Sequence, residues 1–362
     1  MDKHNRRTFL TSAVLMSAGS ILAQSAPVRK SSASGSIASR SFVRPDELIL
    51  PASLRKGSTI AVTAPASGVN RAELESGLSF LRAQGFNLVL GRHVGSTVNY
   101  LSASDKVRAE EFNEFVRRPD IDAIICARGG YGVTRILPDI DYSAIRANPK
   151  VIMGYSDITA LLVAIYERSR IVTYHGPVCS SSFDETTKSS FLHVTVDNSL
   201  NDNLDGAKSV MYSSDDLEVL HSGTAEARLV GGNLATICST LGTPFEIDTR
   251  GAILFLEDIA EEPYRIDRML TQLWLSGKFD EVRGVVLGVF KSCEGLRRAP
   301  NTPTMSPSLK QVFRSRFASM NVPVLSGLPF GHIRSKLTLP IGVRAKMDCS
   351  TKTFSLLEAS VA

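Results

Sequence analysis

The sequence predicts an α/β fold built on a mostly parallel sheet. Two observations carry that reading. Short apolar, β-branched runs alternate with helix-length segments between residues 46 and 200, and glycine-containing loops follow two of those runs directly. Alternation of this kind implies βαβ units, whose crossover helices leave neighbouring strands parallel.

Thr59 to Ala64 is apolar and β-branched up to Pro65 and reads as a buried strand. Arg71 to Gln84 sets Leu74, Leu78 and Leu81 at helical spacing and stops at Gly85. Asn87 to Leu90 reads as a second strand. Asp105 to Val116 reads as a helix, with Val107, Phe112, Phe115 and Val116 on one stripe ahead of Pro119. A third strand, Ala123 to Ala127, runs into Arg128-Gly129-Gly130-Tyr131-Gly132. A fourth, Val151 to Gly154, runs into Tyr155-Ser156-Asp157 and a helix from Ile158 to Glu167. Ligands of parallel sheets bind beyond the carboxyl ends of the strands, so these two loops are candidate site loops.

Polar, turn-rich residues from 201 to 224 suit a connection between an N-terminal domain at 46–200 and a C-terminal domain at 225–362. Beyond it, Gly231-Gly232-Asn233-Leu234 opens a helix and Ala252 to Leu256 is a strand ending at Glu257-Asp258. Ile266 to Leu275 reads as a helix, while Gly284 to Phe290 and Pro323 to Leu325 read as strands.

Composition narrows the function. The 362 residues are 43% apolar and 21% charged, a globular balance with room for two domains. The net charge of +5 is dispersed, which argues against a nucleic-acid partner. Cys126, Cys179, Cys238, Cys293 and Cys349 form no CxxC pair or metal-ligand run and read as structural thiols. At the start, Arg6-Arg7-Thr8-Phe9-Leu10 precedes an uncharged stretch to Leu22 and small residues around Ser25. This resembles a twin-arginine export signal over 1–25, followed by a flexible Ser-rich leader over 26–45. The competing reading, a membrane anchor, needs about 20 apolar residues and finds fewer. The expected location is therefore the periplasm or outside the cell.

Ser156 follows a strand and precedes a helix, a setting that lifts a serine oxygen above a sheet edge beside free backbone N–H groups. A second glycine after the serine is lacking, and a helix-capping serine fits the local sequence equally well. A nucleophilic serine needs a base. His332 in Pro329-Phe330-Gly331-His332 and His175 in Tyr174-His175-Gly176-Pro177 both read as loop histidines. Glu257, ending its strand, is placed to orient an imidazole, whereas Asp258, Glu261 and Glu262 read as a solvated acidic loop.

Several blocks, in order, resemble the LD-carboxypeptidase (muramoyltetrapeptide carboxypeptidase) family of serine peptidases. They are Ala127 to Gly132, Gly154 to Leu161, His175-Gly176-Pro177, Gly231 to Leu234, Leu256 to Ile259, Tyr264 to Leu270, and Gly331-His332 with Thr338 to Gly342. The resemblance implies a layered N-terminal α/β domain, a mixed β/α C-terminal domain, and an active site between them. It implies Ser156 as nucleophile, Glu257 as carboxylate and His332, rather than His175, as base. It also implies an oxyanion hole from the backbone of Asp157 with Gly129 or Gly130. No metal or organic cofactor is expected, and homodimers are. The implied reaction releases terminal D-alanine from a murein tetrapeptide, with Arg128 a candidate for its carboxylate. Export departs from members that act in the cytoplasm, and Glu294 to Ser306 reads as an insertion at the pocket rim. Two alternatives stand beside this: a same-family hydrolase of peptidyl- or aminoacyl-nucleotide antibiotics, and a non-catalytic periplasmic binding protein.

Overall fold

The computed structural model describes residues 47–196, 209–295 and 307–362. The expected signal and leader, the first part of the expected connection and nearly all of the Glu294–Ser306 stretch lie outside the described residues.

The first sheet comes from the apolar runs. Strands β1 (Thr59–Thr63), β2 (Asn87–Leu90), β3 (Ala123–Cys126), β4 (Val151–Gly154) and β5 (Thr173–His175) lie in the order β5-β4-β3-β1-β2. All of these pairings are parallel. β3 and β4 are buried at every residue, which is why they read as unbroken apolar runs. The crossovers carry helices α1 (Arg71–Ala83), α2 (Asp105–Arg117), α3 (Tyr142–Ala147) and α4 (Thr159–Ser169), with α5 (Glu185–Thr195) after β5. Asn70 starts α1 by accepting the Ala72 N–H, and Gly85 ends it at φ 83°.

The second sheet is mixed. Strands β6 (Ser209–Ser213), β7 (Glu218–His221), β8 (Thr224–Asn233), β9 (Ala252–Glu257), β10 (Gly284–Val289), β11 (Val324–Gly331), β13 (Arg344–Asp348) and β14 (Thr353–Leu356) take the order β6-β14-β13-β8-β9-β10-β11-β7. β8 to β11 are parallel, and the flanking strands pair antiparallel. Helices α6 (Leu234–Thr240), α7 (Pro263–Leu275) and α8 (Leu309–Phe317) complete it.

Two expectations change. The stretch read as a connection holds β6 and β7, the outermost strands of the second sheet. Both are short, β7 is only half-buried throughout, and the turn residues Ser214-Asp215-Asp216 stand between them, which hides them as strands. The supposed boundary is also crossed: β12 (Leu339–Ile341) leaves the second half and pairs antiparallel with β5 of the first sheet. Helix α4, buried almost throughout, packs against β5 and also against β8. The described residues accordingly pack as one compact unit.

Candidate active site

The loop after β4 carries Ser156 in a conformation that L-residues avoid, with φ at 65°. A non-glycine residue there costs on the order of 1–3 kcal/mol and persists only where its surroundings enforce it. Ser156 opens a 3-10 turn, Ser156–Ile158, which leads into α4. Neither the turn nor α4 has a side-chain cap, so the capping alternative does not describe this serine. The strained turn instead leaves the first N–H groups of the helix start without intrahelical partners.

The glycine loop after β3 closes on this turn. A Cβ on Gly129 would lie 2.8 Å from Ser156 Cβ and 3.2 Å from its Oγ, so only glycine fits beside the serine. Gly130, at φ 108°, abuts Ser67 instead. The loop is tied down from below: the Gly129 carbonyl accepts the Ser67 N–H at 3.3 Å and Ser67 Oγ accepts the Tyr131 N–H at 3.1 Å. Asp157 fastens the two loops together by accepting the Val133 N–H at 2.9 Å. Burial raises the Asp157 carboxyl to about 6.

One residue that braces this loop escaped the sequence reading. Arg108 of α2, fully buried, donates to the carbonyls of Pro65 and Gly132 and pairs with Asp105 at 2.6 Å. Its signal was a cation beside the apolar stripe of α2. Arg128, the candidate carboxylate ligand, is half-exposed and lies 3.9 Å from Glu73.

From the second sheet come Glu257, the last residue of β9, and His332, directly after β11. β10 lies between these strands, so the two side chains reach each other across its end. His332 Nδ1 lies 2.7 Å from Glu257 Oε2, and the carboxylate has no solvent exposure. Gly331, at φ 105°, makes the approach feasible: a Cβ there would lie 2.5 Å from Glu257 Oε2. The His332 ring stacks edge-on against Tyr155, centroids 4.9 Å apart, and Tyr155 precedes Ser156. The structure thus brings the neighbourhoods of all three candidates together. Ser156 Oγ makes no hydrogen bond to His332 here, a contact that commonly tightens only around substrate.

Three further placements differ from expectation. His175 is buried at the end of β5, not in a loop, with Nε2 4.0 Å from Glu257 Oε1. Asp258 is buried rather than solvated, because it accepts from Asn233 Nδ2 and from the N–H groups of Ala235 and Ile259. Lys336 was missed: its Nζ lies 4.4 Å above the Tyr155 ring, and burial lowers its ammonium to about 8. Among the described residues, no group of three or more His, Cys, Asp or Glu is arranged to hold a metal ion. All five cysteines are buried and unpaired.

Comparison with known proteins identifies the setting. The LD-carboxypeptidase N-terminal domain matches residues 60–176, and the LD-carboxypeptidase C-terminal domain matches residues 226–347. The chain belongs to the LD-carboxypeptidase family. It is 39% identical to a probable murein peptide carboxypeptidase of Bacillus subtilis over 318 residues, covering 86% of this chain and 95% of that one. It is 34% identical to the microcin C7 self-immunity protein MccF of Escherichia coli over 340 residues, covering 86% of this chain and 96% of that one. The solved structure of MccF superposes with a TM-score of 0.76 at 30% identity, covering 87% of this chain and all of that one. Muramoyltetrapeptide carboxypeptidase from Oxalobacter formigenes superposes with a TM-score of 0.71 at 28% identity, covering 84% and 100% of the two chains. The two-sheet α/β fold is the fold of this family, and the chain is a carboxypeptidase by kinship.

Proposed function

We propose that this carboxypeptidase is a serine hydrolase that cleaves the L,D amide bond before the terminal D-alanine of a murein tetrapeptide. The observation that carries the proposal is the buried 2.7 Å Glu257–His332 pair, packed one residue from a serine held at φ 65°. In this reading Ser156 Oγ attacks the scissile carbonyl and His332 Nε2 takes its proton. Glu257 fixes the imidazole tautomer through Nδ1 and stabilises the imidazolium that forms. The N–H groups of Asp157 and of the Gly129–Gly130 turn receive the developing oxyanion. His332 then protonates the departing D-alanine amine, and water releases the tripeptide from Ser156. The terminal carboxylate meets a cation, with Arg128 on the glycine loop and Lys336 over Tyr155 at hand. The enzyme acts after export, at the cell wall, as a homodimer.

A second reading has its own support, because a structure of MccF holding aspartyl sulfamoyl adenosine superposes with a TM-score of 0.75, against 0.71 for the muramoyltetrapeptide carboxypeptidase. The test is a parallel incubation of purified protein with murein tetrapeptide and with aspartyl sulfamoyl adenosine. Release of D-alanine with no turnover of the nucleoside supports the first reading. Turnover of the nucleoside alone contradicts it and supports the second.

A further inference from the structure

A fully buried carboxylate needs partners on both oxygens, since each lone pair has given up its water. Glu257 meets that need on one side only. Oε2 is bonded to His332, while Oε1 has no hydrogen-bond partner among the described residues. Facing Oε1 at 4.0 Å is Nε2 of His175. This imidazole is itself buried, and neither of its ring nitrogens is hydrogen-bonded.

Its surroundings make histidine an odd occupant. The ring is met edge-on by Phe255 at 5.3 Å, Tyr155 at 6.2 Å and Phe330 at 6.3 Å. A phenylalanine would suit that aromatic cage and leave no nitrogen unpaired. Local choices that oppose stability without a compensating contact tend to mark functional positions. The topology also singles His175 out. It pairs in register with Gly154, two residues before Ser156, and so reaches from the serine's sheet to the carboxylate of the other sheet.

We propose that His175 is a positioning residue for Glu257, its Nε2–H closing on Oε1 as His332 gains the serine proton, so that the carboxylate is gripped from both sides. The proposal rests on the Ser156–Glu257–His332 reading. A movement of about 1 Å brings the pair into ordinary hydrogen-bond range. Burial lowers His175 to about 4, so it stays neutral and offers one N–H without adding a charge. A neutral donor favours the ionised form of the carboxylate it bonds, so its loss weakens the hold on Glu257 and disturbs the Glu257–His332 pair. The other titratable groups around Glu257 are His332 after β11, Lys336 beyond it, Tyr155 after β4, Asp258 next in the chain and Cys293 after β10. A substitution at 175 leaves all of them in place.

The test compares His175→Phe and His175→Met, which lack a donor, with His175→Gln, which keeps one, following D-alanine release against pH. Both donorless variants are expected to melt at or above the wild-type Tm. Their kcat should fall about 10- to 100-fold with little change in KM. The acid limb of their rate profile should shift, and His175→Gln should recover most of both effects. Folded donorless variants with wild-type kcat and an unmoved acid limb would overturn the role of His175 alone. So would rate losses that follow a lowered Tm and are not relieved by Gln. A wild-type protein that turns over neither murein tetrapeptide nor aspartyl sulfamoyl adenosine would instead sink the hydrolase reading and this proposal with it.

Discussion

Ser156 and the Glu257–His332 pair come from different sheets and are held by different means. The serine is positioned by backbone: a positive φ, a glycine loop with no room for a Cβ, and the start of α4. The pair is positioned by side chains: a buried carboxylate, an imidazole stacked on Tyr155, and aromatic walls behind them. Backbone positioning stores strain in the folded chain, while side-chain positioning stores the cost of desolvated charge. Each half should therefore fail in its own way, with activity and stability uncoupled differently.

The largest effect is expected on the pair. Glu257→Gln keeps the shape and removes the charge, so kcat should drop by roughly 10³- to 10⁴-fold, the scale seen when a triad carboxylate becomes an amide. Steady-state D-alanine release measures it, and a loss under tenfold would argue that Glu257 does not orient the base. Next comes the serine side. Gly129→Ala drives a Cβ to 2.8 Å from Ser156 Cβ, and displacement of a reacting group by about 1 Å costs on the order of 100-fold. The same assay reads it, with wild-type kcat as the contrary outcome.

Ser156→Gly sharpens the contrast in stability. It should abolish turnover yet raise the unfolding free energy by about 1 kcal/mol, because glycine accepts φ 65° without strain. Urea unfolding would show this as a higher midpoint at unchanged slope, and a lower midpoint would mean the turn is not strained. The smallest effect is a pH dependence shared by both halves. Burial raises Asp157 and Asp258 from 3.8 to about 6, so folding favours their protonated forms. Their stabilising contribution is full below 3.8 and is lost as pH rises through about 6. Asp157→Asn and Asp258→Asn should each flatten the decline of Tm across that window, and an unchanged slope would place the effect elsewhere.

The sequence exposed these two halves unequally. β1, β3 and β4 are short apolar runs closed by glycine or proline, so the first sheet and its Ser156 turn were readable from pattern alone. The strand ending at Glu257 was readable for the same reason. β12 was not, because three residues including Pro340 carry no periodicity and its partner β5 lies more than 160 residues earlier. β11 was seen only in its first residues, since Gly327 and Pro329 interrupt its apolar run. The choice between His175 and His332 turned on family resemblance, since each follows an aromatic or glycine residue near a strand end. Only the fold shows that both reach the same carboxylate, one on each oxygen. Asp258 and Arg108 were misjudged or missed because a charged residue among other charged residues looks solvated until its backbone partners are known.

The most direct test of the central claim is to mix the protein with murein tetrapeptide, quench in acid within the first turnovers, and measure the mass of its proteolytic fragments. The account predicts a tripeptide acyl group on the fragment containing Ser156, absent in Ser156→Ala, with D-alanine released in step. Turnover that proceeds with no adduct on the wild type and survives in Ser156→Ala would contradict it.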